Sequence, residues 1–161
     1  MTTKADVVRS LDHSWNELRA VIDSMSEKEM LEPGVTEDWS VKDLLGHIAF
    51  WANRAANTLT EVAAGRADQV PGPETEGEID EWNAREAAAR KGKSLGELRE
   101  DWERAHAAAR AALEAFPEDK LGEPFKERTV VFSFGADTFA HYQEHASQIK
   151  AWLRQMETTE A

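Results

Sequence analysis

Between residues 4 and 25, apolar side chains recur at Val7, Val8, Leu11, Trp15, Leu18, Ile22 and Met25. This three-and-four spacing predicts a helix with one buried face, ended before Pro33 and Gly34. A second stripe runs through Val41, Leu44, Ile48, Trp51, Ala55, Leu59 and Val62. It follows Ser40, a residue type that caps helix N-termini, with Asp43 at the capping-box position. Residues 65–77 carry Pro71, Gly72 and Pro73 among acidic neighbours and read as a loop, followed by a short helix over 79–90. Ser94 caps a third long pattern, whose stripe is Leu95, Leu98, Trp102, Ala105, His106, Ala109, Leu113 and Phe116, with Pro117 just beyond. Residues 129–135 are β-branched and aromatic and read as a short extended segment or hairpin. The last helix is expected over 137–156, with Gln143, Ser147, Lys150 and Arg154 on its polar side.

No internal repeat or low-complexity tract interrupts this order, so residues 1–161 are expected to form one domain. The predicted class is all-α: a four-helix bundle with a long connection between the second and third long helices, which suits a crossover topology.

Composition narrows the chemistry. A hydrophobic share of 41% with six Trp and six Phe is enough for a packed core and excludes global disorder. Nineteen basic against 31 acidic residues leave a net charge of −12, from which no nucleic-acid partner and no anionic membrane partner are expected. There is no apolar run long enough to span a bilayer and no signal-peptide pattern at Met1 to Ser10, so a cytoplasmic location is expected. With no cysteine, any metal site must use nitrogen and oxygen ligands.

Histidine supplies the one chemical constellation. At about 100° per residue, His141 and His145 share one side of the last helix, one turn apart, where both can reach one metal. His47 sits at the margin of its own stripe, one turn before Trp51, and histidines at the margins of two helices can meet in the seam between them. Three imidazoles without a fourth protein ligand leave a coordination position open, the pattern of a catalytic site. The competing reading is of boundary histidines that only hydrogen-bond. His13 lies opposite its stripe and should face solvent. His106 falls inside its stripe and reads as a buried neutral imidazole satisfied by one partner. Trp15, Trp51, Trp102 and Trp152 fall on core faces, Trp39 precedes a cap as a staple residue, and Trp82 is not accounted for by the long helices.

Three segments carry a resemblance: Trp39-Ser-Val-Lys-Asp-Leu-Leu-Gly-His47-Ile-Ala-Phe-Trp51, Glu81-Trp82-Asn83-Ala84-Arg85, and His141-Tyr-Gln-Glu-His145 through Leu153. In order and spacing they resemble the DinB/YfiT-like superfamily over nearly the whole chain. Within it they are most similar to the N-terminal domain of mycothiol-dependent maleylpyruvate isomerases and to the ClbS/DfsB group. The resemblance implies a divalent metal, often zinc or nickel, held by His47, His141 and His145. It also implies activities such as thiol-dependent isomerisation or transfer, in which the metal activates a low-molecular-weight thiol. The isomerase's extra C-terminal domain has no counterpart in these 161 residues, which weighs against isomerase activity specifically. Related bundles often dimerise, which makes a homodimer one expected state.

In such a mechanism the thiol would meet an electrophile held beside Trp51 and Trp82. Arg54, one turn beyond Trp51, is either a clamp for a carboxylate of the thiol or substrate or a solvated surface charge. Asn83 either orients a polar group above the metal or faces water. Glu144 and Asp137 flank His141 as candidate bases or orienting groups. Three readings therefore stand: a metal-dependent thiol transferase or isomerase, a bundle that sequesters a metal or ligand without turnover, and a structural dimerising bundle.

Overall fold

The computed structural model describes residues 2–160. Capping boxes begin three of its four long helices. Thr3 and Asp6 exchange side-chain and backbone hydrogen bonds at the start of α1 (Lys4–Asp23), Ser40 and Asp43 at α3 (Val41–Ala63), and Ser94 and Glu97 at α5 (Leu95–Ala115). The fourth long helix is α7 (Phe139–Glu160). Between them lie α2 (Glu27–Leu31), α4 (Glu76–Arg90) and α6 (Val130–Asp137). Two short antiparallel strands, β1 (Pro124–Phe125) and β2 (Arg128–Thr129), form a hairpin before α6.

The expected stripes form the core of a four-helix bundle. Leu11, Leu18 and Ile22 of α1, Leu44, Ile48, Ala55 and Leu59 of α3, Leu98, Trp102 and Leu113 of α5, and Tyr142 and Ile149 of α7 are all essentially inaccessible. In the bundle α3 packs chiefly along α5 and α1 along α7. The long connection that carries α4 crosses between α3 and α5, in the place expected for it. Among the described residues no helix is long and apolar enough to cross a membrane.

His106 is buried as expected, and its surroundings explain why it stays neutral. Its ring stacks on Trp15 with centroids 3.9 Å apart and planes inclined by 2°. Nδ1 lies 3.2 Å from the Tyr142 hydroxyl. Burial pushes its pKa down to about 4 against a weaker pull from Asp12. Asp12 itself is held by Arg110 through two contacts of 2.8 and 3.0 Å.

Four local expectations need correction. The first helix stops at Asp23, and a separate turn, α2, starts from its own Ser26–Glu29 capping box. The short helix begins at Glu76, because the Thr75 side chain caps it by accepting the Glu78 N–H. Only Thr129 of residues 129–135 is extended, as the end of β2; residues 130–135 are helical, because the Thr129 hydroxyl accepts the Phe132 N–H and Val130 and Phe134, one turn apart, are buried on the bundle. The extended pair lies just upstream, so burial of an i, i+4 pair outweighs β-branched propensity here. Residue 137 therefore ends α6, and the chain bends at Thr138 (φ −126°, ψ −97°) before α7 starts at Phe139. Gly135 permits this bend, since a Cβ there would come 2.4 Å from the Phe139 ring.

Candidate metal centre

Packing of α7 against α3 brings His47, His141 and His145 together. His141 Nε2 lies 2.8 Å from both His47 Nε2 and His145 Nε2. The ligand atoms of all three fall within 4.8 Å of one another. The bend at Thr138 sets the entry of α7: its carbonyl accepts the Tyr142 N–H at 2.8 Å, while its hydroxyl donates to the Phe134 carbonyl at 2.7 Å. On the α3 side, Trp39 meets the His47 ring edge-on, centroids 5.1 Å apart.

The donor chemistry fits a cation. His145 Nδ1 lies 2.7 Å from the side-chain amide oxygen of Gln148, which fixes the ring proton on Nδ1 and turns the Nε2 lone pair inward. An imidazole Nε2 carries either one proton or one lone pair, so His141 Nε2 can satisfy only one of its two close neighbours. At least one of these contacts is thus repulsive without a positive charge between the rings. Burial pushes the pKa of all three rings down; the His47 ring, further depressed by His145 and Arg90, falls to about 3. The triad therefore stays in the neutral, ligating form at physiological pH. His141 Nδ1 is buried and has no partner among the described residues.

The triad opens onto a cleft of about 750 Å³ whose walls include Trp39, Trp51, Asn83, Asp137 and Glu144. Trp51 and Trp82 stack with centroids 6.1 Å apart and planes inclined by 23°. The side-chain oxygen of Asn83 accepts the Trp51 indole N–H at 2.9 Å, tying α4 to α3 on the wall of this cleft. Arg54 is not a solvated surface charge: its side chain is nearly buried and Nη1 donates to Asp137 at 2.5 Å. Asp137 thus faces Arg54, and burial raises its pKa to about 6 despite that cation. Glu144 is exposed on the rim. Sequence reasoning missed Gln148, one turn after His145, and Phe50, which meets the Trp51 and Trp82 rings edge-on. Only the i, i+3 spacing of Gln148 offered a signal.

A family model for the DinB superfamily matches residues 10–149, and the chain belongs to that superfamily. A search among curated proteins finds no match. Solved structures with this fold include an uncharacterised protein of Escherichia coli UTI89 (TM-score 0.81, 14% identity, covering 98% of this chain and 96% of that one). Another is colibactin self-resistance protein ClbS in complex with a dsDNA (0.81, 15%, 94% and 95%). A third is DfsB, a sibling lethal factor precursor (0.79, 13%, 97% and 98%). At such identities the likeness is one of fold.

The ClbS complex overturns the expectation, drawn from net charge, that nucleic acid is excluded as a partner. Net charge sums over the whole surface, whereas contact with phosphates is decided by a local patch.

Proposed function

We propose that this chain is a metal-dependent enzyme of the thiol transferase or isomerase type, with His47, His141 and His145 as ligands of a zinc or nickel ion. The observation that carries this reading is the convergence of three neutral imidazole nitrogens at the wall of a cleft, with one side left for a small molecule. Bound there, the ion supplies Lewis acidity that favours the thiolate of a low-molecular-weight thiol at neutral pH. The chain has no cysteine, so the thiol must come from outside. Trp51 gives the cleft an aromatic wall for the electrophile, with Trp82 stacked on it and Asn83 holding its indole in place. Asp137, with a pKa of about 6 on the same wall, is a proton acceptor matched to neutral pH, and Arg54 orients it.

A second reading, sequestration without turnover, is favoured by the fold likeness to ClbS, a self-resistance protein. Metal analysis of tag-free protein after supplementation tests the site. About one equivalent is expected in the wild type and under about 0.2 in His47→Ala, His141→Ala and His145→Ala. Equal metal content in all four would refute it. Turnover of a generic electrophile with several thiols, absent in His47→Ala, separates catalysis from sequestration.

A further inference from the structure

The cleft does not stop at the histidines. Trp51, Ile79, Ala136 and Asp137 also line a second cavity of about 750 Å³, so the two form one trough with the triad at one end. The far end holds three cations, Arg54, Lys126 and Arg128. The β1–β2 hairpin presents two of them: Lys126 occupies its turn at φ +54°, a left-handed conformation that an L-residue adopts at some cost, and Arg128 begins β2.

Arg54 and Lys126 crowd the same spot. A Cβ at Gly72 would come 2.6 Å from Lys126 Nζ and 2.9 Å from Arg54 Nη2, so the ammonium and guanidinium are near neighbours. Their pairing with carboxylates is incomplete. Asp137 takes Nη1 of Arg54, while Nη2 has no acceptor among the described residues. Lys126 and Arg128 pair with no carboxylate among the described residues; they lie over the rings of Phe125 at 5.8 Å and Phe132 at 4.4 Å. Glu74, Glu76 and Glu127 also line this end, but all three are exposed and none pairs with these cations. Two adjacent cations sharing one carboxylate form a site that an external anion completes. The exposed Phe132 and Ile79 give the same trough apolar walls.

We propose that Arg54, Lys126 and Arg128 form an anion subsite that receives a carboxylate of the small molecule whose reactive end lies at the histidines. This rests on the metal-site reading for its second half only: the anion subsite can be tested with no metal present. Such a subsite selects for thiols or electrophiles that carry a carboxylate some distance from the reacting atom, and it overcomes the repulsion of an acidic protein for an anionic ligand.

The probe is succinate, titrated calorimetrically into chelator-treated wild type, Lys126→Ala/Arg128→Ala and His141→Ala. Saturable binding in the wild type, weakened about tenfold or more in the double variant and unchanged in His141→Ala, is expected. Both altered cations are exposed, so the double variant should keep its fold, and circular dichroism checks this. Equal affinity in wild type and double variant would overturn the proposal, as would no saturable binding. A duplex DNA probe is run in parallel. Duplex binding lost in the double variant, with no succinate binding, would overturn the carboxylate assignment in favour of nucleic-acid phosphate. Loss of the metal reading would instead show as absent metal uptake with the succinate result intact.

Discussion

Replacement of His106 by Phe should flatten the acid side of the protein's stability profile. In the folded chain the imidazole is 6% exposed, stacked on Trp15 and depressed to about 4 from an ordinary 6.5. In the unfolded chain it titrates near 6.5, so between those values the unfolded state binds the extra proton. Stability is therefore fully present above the unfolded pKa and is lost as pH falls towards the folded one. Read at about pH 5, that shift amounts to about 2 kcal/mol, or about 1–2 kcal/mol after allowance for screening of the charged form by solvent. The assay is urea unfolding of wild type and His106→Phe at about pH 7.5 and about pH 5. His47, His141, His145 and Asp137 titrate in both proteins and cancel in the comparison, as does the constant cost of depriving Tyr142 of its partner. Between the two pH values the wild type should lose about 1–2 kcal/mol more than the variant. Equal losses would show that His106 is not held neutral by burial.

Removal of metal by a chelator should lower the melting temperature by several degrees, because metal at about a hundred times its Kd stabilises by about 2.7 kcal/mol; an unchanged melting curve in both the wild type and His145→Ala would contradict the site. Gly135→Ala should cost about 1–3 kcal/mol in urea unfolding, since the added methyl would meet the Phe139 ring at 2.4 Å. Asn83→Ala should cost about 1 kcal/mol by leaving the Trp51 indole N–H without its acceptor, and should shift the tryptophan emission as α4 loosens; an unaltered spectrum and stability would mean that the 2.9 Å contact contributes nothing.

Much of the architecture was legible because helices declare themselves locally. The stripes on α1, α3 and α5, the polar side of α7 and the caps Ser40 and Ser94 follow from spacing within one turn or a few. The i, i+4 spacing of His141 and His145 is legible for the same reason, and so is the burial of His106 inside its stripe. Where propensity and burial disagreed, the local reading failed: residues 130–135 look like strand but fold into α6, because Val130 and Phe134 have a core to enter. Net charge misled in a similar way, as a sum that hides its own distribution.

By itself, then, the sequence determined the helices, their buried faces and the identity of the histidines, all properties of neighbours along the chain. Only the tertiary structure decided the contacts across it. The register of α7 on α3 brings His47 to His141, 94 residues apart, and pairs Arg54 with Asp137, 83 residues apart. The docking of α4 sets Asn83 on Trp51, and the β1–β2 hairpin sets Lys126 beside Arg54. Those distances depend on how side chains of separate helices interlock, and no periodicity within a single segment encodes that.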